Sequence, residues 1–295
     1  MRTTPYVAVV GAVNMDIYGS PFTKLIPKDS NPGLVRHNPG GVGRNIAHNL
    51  RLLDVPVKFL TAFGSDLYAA ELKQSCESLG MDISDAVYTD RSTSTYLYIT
   101  DEQGEMQLAV CDTDVADCIN APYLENKLDV LNRAQLVLFD ANLTEETVSF
   151  IAEHVTVPLF ADPVSAKKSE RLRGAIHRLH TFKPNDIEAM YMTGEDTPEK
   201  AAQALVKMGV RRAYVSCGAD GIVAAEDEWL VHLSCEPSKV VNTTGGGDAS
   251  MAALVWAYTQ DMSLEQSARA ALRAGAVTVG VEETIATELR AEKLL

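Results

Sequence analysis

The sequence predicts an α/β fold in which a mostly parallel sheet carries helices on both faces, with a small additional β-sheet. Short apolar, β-branched runs alternate with amphipathic stretches along most of the chain, as in successive strand–helix–strand units. The chain has 295 residues, of which 46% are hydrophobic and 22% charged. This length and composition suit one large globular α/β domain with a smaller appendage.

The first elements of this fold are predicted within the N-terminal third of the chain. The apolar run YVAVVGAV (6–13) is typical of a buried parallel strand. A helix is predicted over 41–54, because Ile46 and Leu50 recur at helical spacing behind glycines. The stretch VKFLTAFG then predicts a strand, and DLYAAELKQSCESLG predicts a helix that ends at Gly80.

The rest of the main sheet follows the same rhythm. Further strands are predicted at AQLVLFD, VPLFADP, HTFKP and RAYVSCG, each followed by a helical stretch. The last is less regular, because GIVAAEDEWLVHL predicts a β-hairpin. Ligands of open parallel sheets bind outside the carboxyl ends of the strands, so residues that follow these strands are candidates for a functional site.

Two segments interrupt the alternation. Residues 15–38 contain three prolines and little helical pattern, whereas residues 92–112 predict two strands joined by a turn at DEQG. Neither segment is long enough to fold alone, because an isolated hairpin is marginally stable in water. We therefore expect them to combine into a β-sheet lid over a core domain formed by residues 1–14, 39–91 and 113–295.

Charge and composition exclude several classes of partner. The formal net charge of −14 argues against nucleic acid or an anionic membrane, since both require basic surface. The five cysteines form no Cys-x-x-Cys pair and indicate free thiols in a reducing compartment, and the six histidines lack metal-ligand spacing. No signal peptide and no apolar run near the ~18 residues of a membrane span is seen, so we expect a cytoplasmic protein.

The stretch NTTGGGDAS (242–250) carries the strongest chemical signal. Backbone N–H groups of Gly245, Gly246 and Gly247, together with the positive end of the following helix dipole, would form an anion site. Asp248 beside that site could act as a base that takes a proton from an attacking hydroxyl. The alternative is a structural turn in which Asp248 only caps the helix.

A second polar cluster is predicted near the first strand. Asn14 and Asp16 follow that strand and could bind sugar hydroxyls, although they could also serve as strand-end turn residues. The motif NPGGVGRN then leads into a helix that carries Asn45. Its glycines would let the backbone approach a ligand closely, and they are Gly40, Gly41 and Gly43.

Other phosphate and hydrolytic chemistries lack their motifs. The chain has no G-x-x-x-x-G-K-[ST] loop and no H-R-D or D-F-G set, so it is neither a P-loop enzyme nor a protein kinase. H-E-x-x-H and G-x-S-x-G are also absent.

Together, the motifs resemble the ribokinase, or PfkB, family of carbohydrate and nucleoside kinases. The N-terminal signature is GGVGRNIAHNLRLL and the C-terminal one NTTGGGDASMAAL, with FKPNDIEA and SCGADG between them in the family's order. The resemblance covers essentially the whole chain. It implies a Rossmann-like α/β domain with a β-sheet lid, and phosphoryl transfer from ATP to a primary hydroxyl of a furanoside or similar sugar.

The resemblance also implies roles for individual residues. Asp248 would be the catalytic base and the N–H groups of Gly245, Gly246 and Gly247 the anion hole. The sugar contacts would be Asn14, Asp16, Gly40, Gly41, Gly43 and Asn45. The ATP contacts would be Lys183, Asn185, Ser216, Gly218, Gly221, Thr243, Gly245 and Gly247. Asn185 and Glu188 would organise Mg²⁺, largely through water, and residues 271–280 would form the helix beside the adenine.

Within the family, DSNPG, GEM, DPVSAKK and Asn242 resemble the pseudouridine kinases. The implied acceptor is the 5′-hydroxyl of pseudouridine, and the alternatives are ribokinase, fructokinase, inosine/guanosine kinase or adenosine kinase activity. Candidate base contacts are the polar lid residues Asp29, Ser30, Asn31, Thr93, Thr95 and Asp112. Relatives with Asp in place of Asn242 use it for a monovalent cation, so this neutral amide puts K⁺ activation in doubt.

The predicted lid also suggests a protein partner. Its strands YLYI and MQLAV would give the small sheet one apolar face that must be covered. Besides ATP and a small sugar or nucleoside, we therefore expect a second copy of the chain as partner, in a homodimer joined through the lids.

Overall fold

The computed structural model describes residues 4–235 and 240–295. Its strands are β1 (Val7–Val10), β2 (Asn14–Pro21), β3 (Gly33–Gly40), β4 (Val57–Leu60), β5 (Ala62–Phe63), β6 (Val87–Tyr88), β7 (Thr95–Thr100), β8 (Met106–Asp112), β9 (Val137–Asp140), β10 (Leu159–Asp162), β11 (Leu179–Phe182), β12 (Arg212–Ser216), β13 (Ile222–Glu226) and β14 (Trp229–Leu233). Its α-helices are α1 (Val42–Leu52), α2 (Leu67–Ser78), α3 (Ala121–Glu125), α4 (Leu128–Asn132), α5 (Glu145–His154), α6 (Ala166–Ser169), α7 (Asp186–Thr193), α8 (Pro198–Lys207), α9 (Gly246–Thr259) and α10 (Leu264–Val279).

The main sheet has eight strands in the order β14-β13-β12-β11-β10-β9-β1-β4. The strands from β12 to β4 are parallel, whereas β13 and β14 form an antiparallel hairpin at one edge. The predicted parallel sheet and the predicted C-terminal hairpin are therefore confirmed.

Helices cover both faces of this sheet. Val10 and Phe139 lie in one buried apolar cluster, which also contains Ile151 of α5. Val9 and Leu138, their neighbours in sequence, lie in a second cluster that includes residues of α1 and α9. Because successive strand residues point to opposite faces and both faces are buried, these strands have continuously apolar sequences.

Two predicted elements differ from the observed ones. The stretch VKFLTAFG forms two strands: β4 belongs to the main sheet, whereas β5 pairs with β6 in a separate two-stranded sheet. At the end of this stretch Gly64 packs closely against residues 91–93, where an added Cβ would lie 2.5 Å from the Thr93 nitrogen. After β10, the expected helix is reduced to the single turn α6 and two 3₁₀ turns.

The second sheet has four strands in the order β3-β2-β7-β8, with β2 and β7 parallel at its centre. It is drawn from the two segments predicted to form the lid, and the hairpin with its turn at DEQG is confirmed. The Asp101 side chain stabilises that turn by accepting hydrogen bonds from the N–H groups of Gln103 and Glu105. The domain boundaries themselves stay a prediction.

The cysteines and the apolar helices bear on the expected cellular environment. All five cysteines are free thiols, with Cys76 buried. Within 4–235 and 240–295, no helix combines the length and the hydrophobicity needed to cross a bilayer.

Candidate active site

The glycine-rich turn ends directly at the start of α9. Gly245 is the N-cap residue with a φ of 84°, in the left-handed region that favours glycine. A Cβ at this position would lie 1.9 Å from the Thr284 carbonyl oxygen, so the packing also requires glycine. The turn therefore brings bare backbone amides to the N-terminus of a 14-residue helix, where the helix dipole favours an anion.

A cavity of about 760 Å³ opens in front of this turn. It lies at the carboxyl ends of β10, β11 and β12 and is closed on one side by α10, through residues that include Leu272 and Ala276. Its size suits a nucleotide. Every residue predicted to bind ATP lines it: Lys183, Asn185, Ser216, Gly218, Gly221, Thr243, Gly245 and Gly247. Their contact with ATP stays a prediction, but the structure brings all of them together.

Asp248 lines the same cavity and does not cap the helix. The N-cap position belongs to Gly245, and no side chain caps α9. Instead, Asn45 of α1 donates a hydrogen bond from Nδ2 to Asp248 Oδ2 at 3.0 Å. The structural alternative, in which Asp248 only caps the turn, is therefore not what the geometry shows.

The electrostatic surroundings of Asp248 favour its protonated form. Burial, reinforced by the Asp162 carboxylate, raises its pKa to about 8, although the Asn45 hydrogen bond and the Lys183 ammonium partly oppose this. A carboxyl group with a pKa near the operating pH is well suited to exchange protons with a substrate.

Lys183 places a positive charge beside the glycine turn. Its side chain is buried, and its Nζ lies 3.5 Å from the position that a Cβ on Gly247 would occupy. An ammonium group next to bare amides reinforces the anion site.

Asn185 and Glu188 form a capping box at the start of α7. Asn185 Oδ1 accepts a hydrogen bond from the Glu188 N–H, and Glu188 Oε2 accepts one from the Asn185 N–H, both at 2.8 Å. Part of their hydrogen-bonding capacity therefore serves the helix. Burial raises the pKa of Glu188 and, close by, that of Asp162.

The donor set suits a water-coordinated Mg²⁺ better than a protein-caged metal. Among the described residues, no three His, Cys, Asp or Glu side chains are grouped to hold a metal ion. Mg²⁺ usually keeps several waters and uses one or two carboxylates together with phosphate oxygens. Asp162 and Glu188, which both line the cavity, supply such carboxylates.

The predicted sugar-binding cluster lies at the base of the small sheet. Asn14 donates a hydrogen bond from Nδ2 to Asp16 Oδ1. Burial raises the pKa of Asp16 to about 6. Gly41 is the N-cap of α1 with a φ of 97°, and a Cβ there would lie 2.8 Å from Asn14 Oδ1. A Cβ on Gly40 would collide with the Asp16 carboxylate. Since α1 also carries Asn45, this cluster is connected to Asp248.

Two residues predicted to bind substrate, Gly43 and Thr93, take part in structural hydrogen bonds. The N–H of Gly43 donates to Asp140 Oδ2 at 2.9 Å, and a Cβ on Gly43 would lie 3.0 Å from the Gly11 Cα. Thr93 is buried and donates to the two Asp66 carboxylate oxygens, from Oγ1 at 2.5 Å and from its N–H at 2.8 Å. These hydrogen bonds use the Gly43 N–H, the Thr93 N–H and the Thr93 hydroxyl hydrogen within the protein, and contact of either residue with a ligand stays a prediction.

Three further lid candidates lie away from the cavity. Asn31 uses its side-chain amide within its own exposed loop, bonding the N–H and C=O of Ile26. Asp29 and Asn31 line a separate cavity of about 740 Å³ at the far end of the small sheet. Strand alternation and the observed register place Asp112, opposite Thr95, on the sheet face that does not carry Asp16. Within one protomer, the structure does not bring these residues to the site.

Three buried charged residues that organise the site were not predicted from the sequence. Asp140 accepts hydrogen bonds from Ala12 and Gly43, so it joins the ends of β9 and β1 to α1. Asp162 lies at the carboxyl end of β10. Arg44 donates to the Pro39 carbonyl oxygen at 3.2 Å and to Asn45 Oδ1 at 3.3 Å, which turns the Asn45 NH₂ group towards Asp248. An aspartate at the end of a buried strand was a usable signal for the first two.

Similarity to known proteins shows which family the chain belongs to. A sequence model of the pfkB family of carbohydrate kinases matches residues 4–291. The chain belongs to the PfkB family. This PfkB kinase is similar to the pseudouridine kinase of Escherichia coli K12, with 34% identity over 96% of this chain and 93% of the relative.

Solved structures confirm the ribokinase-like fold of this PfkB protein. It is similar to an Arabidopsis thaliana ribokinase in complex with ribose and ATP, with a TM-score of 0.86 and 22% identity over 99% of this chain and 98% of that one. A second similar structure, from E. coli and in complex with ATP and Mg²⁺, gives a TM-score of 0.84 and 16% identity over 98% and 97% of the two chains. Family membership makes the protein a sugar or nucleoside kinase.

Proposed function

We propose that this kinase transfers a phosphoryl group from ATP to the 5′-hydroxyl of pseudouridine. The observation that carries the proposal is the position of Asp248, which lines the large cavity and is linked through Asn45 to the helix that begins at the Asn14–Asp16 cluster. A nucleotide in the cavity and a ribose at the cluster would therefore meet at one carboxylate. The similarity to a pseudouridine kinase over nearly the whole chain favours this acceptor.

The proposed reaction uses groups that the chain already positions. Asp248 takes the proton of the acceptor hydroxyl as its oxygen attacks the γ-phosphorus of ATP. The new P–O bond forms as the bond to the bridging oxygen breaks, and ADP leaves with that electron pair. The amides of the glycine turn and the Lys183 ammonium stabilise the negative charge on the transferring group. Mg²⁺, held through water by Asp162 and Glu188, would neutralise phosphate charge when bound.

The base of pseudouridine offers a physical route to specificity. Its uracil is joined through carbon, so the ring carries one more N–H donor than uridine. A buried acceptor aimed at that donor would be left unpaired by uridine, at a cost of about 1–3 kcal/mol.

A substrate panel tests the proposal. Coupled ADP detection with pseudouridine, uridine, inosine, ribose and fructose would give kcat/KM for each acceptor. We expect the highest value with pseudouridine. A clear preference for a free sugar or a purine nucleoside would reject this acceptor, and ATP consumption with none of a wider panel would reject the kinase reaction itself.

We also propose that two copies associate through their lid sheets. The sheet face opposite Asp16 exposes aliphatic side chains from three of its four strands: Val35 of β3 (77% accessible), Leu97 of β7 (43%), and Leu108 (63%) and Val110 (60%) of β8. Monomers rarely expose an apolar surface of this kind. In a dimer with two-fold symmetry, the apolar face of each copy would cover that of the other. Light scattering at micromolar concentration should show a dimer that Val110→Lys and Leu108→Lys convert to a monomer. A wild-type monomer would contradict the proposal.

A further inference from the structure

Three tyrosines lie side by side on the lid face that also carries Asn14 and Asp16. Tyr18 follows Asp16 at the next same-face position of β2. In the parallel pairing of β2 with β7, Tyr96 lies opposite Asp16 and Tyr98 lies opposite Tyr18. The predicted sugar site is therefore bordered by an aromatic surface on the neighbouring strand.

The three rings form a connected and half-buried group. The Tyr18 and Tyr98 rings stack with centroids 5.3 Å apart and an interplanar angle of 11°. Tyr96 and Tyr98 are 5.5 Å apart and tilted by 38°. Burial raises the pKa of the Tyr96 phenol, and the nearby Asp16 carboxylate raises it further, as expected for groups in close proximity.

The aromatic group is distinct from the apolar covering of the lid. Leu97 and Ile99 follow Tyr96 and Tyr98 in β7 and therefore point to the opposite face of the small sheet, which carries the exposed aliphatic side chains. Tyrosine rings on the face shared with a polar ligand cluster provide flat surfaces on which a planar ligand can stack. A free sugar has no planar group that would use them.

We propose that Tyr96 and Tyr98 form the surface on which the base of a nucleoside stacks while its ribose is bound at Asn14 and Asp16. This inference rests on the proposed function for the position of the ribose. It goes further by assigning the residues that make a nucleoside, rather than a free sugar, the preferred acceptor. Stacking requires only an aromatic face, so the surface favours nucleosides as a class, and discrimination between bases depends on other contacts.

Single substitutions test the stacking surface. We expect Tyr96→Ala and Tyr98→Ala to lower kcat/KM for pseudouridine, relative to kcat/KM for ribose in the same variant, by about 10- to 100-fold, the range measured when base–aromatic stacking is removed. The matched variants Tyr96→Phe and Tyr98→Phe keep the ring and should stay within about threefold of wild type. Tyr191→Ala, at an exposed site on α7, is the control for a lost tyrosine elsewhere.

The outcomes separate this inference from the proposed reaction. Equal losses for pseudouridine and ribose, or losses in the Phe variants as large as in the Ala variants, would overturn the stacking surface. Calorimetric titration with pseudouridine in the absence of ATP provides a readout that needs no turnover. If no acceptor is phosphorylated, the proposed reaction fails, but weaker pseudouridine binding by Tyr98→Ala and not by Tyr98→Phe would still support the surface. Unchanged binding by both Ala variants, with melting temperatures like wild type, would reject it.

Discussion

Replacing Asp248 by Asn should abolish turnover and stabilise the fold at the same time. The amide has nearly the same shape as the carboxyl group and can still accept the hydrogen bond from Asn45 through its own oxygen. It cannot accept the proton of an attacking hydroxyl, so kcat should fall by about 10²- to 10⁴-fold. A loss of less than about tenfold would remove Asp248 from the role of base.

The stability gain follows from the raised pKa of Asp248, about 8 in the folded chain against an ordinary value of 3.8. Between these values, the folded state holds a proton that the unfolded state has released, so Asp248 lowers the free energy of unfolding increasingly as pH rises from 3.8 to about 8. At about 1.4 kcal/mol for each pH unit, the upper bound is about 6 kcal/mol. Water reaches this half-buried side chain and screens part of the electrostatic cost. We therefore expect the Asn variant to be more stable than wild type by about 2–4 kcal/mol above pH 8.

Thermal melting of ligand-free protein at two pH values measures this gain. The Asp248→Asn variant should melt about 4–10 °C higher than wild type at pH 8.5, with a smaller difference at pH 5.5. Asp129→Asn, whose side chain is 91% exposed, is the control and should melt like wild type. An Asp248→Asn variant that is no more stable than wild type at pH 8.5, or whose advantage shrinks as pH rises, would refute the electrostatic argument.

Three further predictions follow from the same site. The logarithm of kcat/KM should rise with unit slope against pH up to about pH 8, because kcat/KM reports the free enzyme and only ionised Asp248 can act as base. A profile that is flat between pH 6 and 8 would contradict this prediction. Gly245→Ala should lower both the melting temperature and kcat, because its Cβ would lie 1.9 Å from the Thr284 carbonyl oxygen. The control Gly194→Ala, at a φ of 77° with open space around it, should lose only stability. A fully active Gly245→Ala variant would contradict the packing argument. Replacing K⁺ in the assay by a bulky organic cation should change the turnover rate by less than about twofold. The reason is that the Asn242 side chain already accepts a hydrogen bond from the Thr244 N–H and donates one to the Glu282 carbonyl oxygen. A tenfold loss of rate would show that a monovalent cation is required.

The nucleotide side of the site was predictable from the sequence because its residues follow strands. In a parallel sheet, strand ends meet at one edge, so Lys183 after β11 and Ser216 at the end of β12 had to come together. The glycine turn was recognisable from its composition alone. The structure then placed all of these residues around one cavity.

The acceptor side was less predictable because it depends on long-range pairing. The sequence does not show that Asp66 satisfies Thr93 or that Asp140 satisfies Gly43, since these partners are far apart along the chain. Nor does it show the register that places Asp112 on one face of the lid and Tyr96 on the other. Arg44 was missed for the same reason, because its partners are assembled only by the fold.

Arg44 connects the small sheet to the carboxylate of Asp248. One guanidinium nitrogen is shared by the carbonyl of Pro39, in β3 of the small sheet, and the side chain of Asn45, which in turn bonds Asp248. A swing of β3 away from α1 would stretch the first of these bonds and loosen the amide that orients the carboxylate. The orientation of the Asp248 carboxylate is therefore coupled to the position of the small sheet.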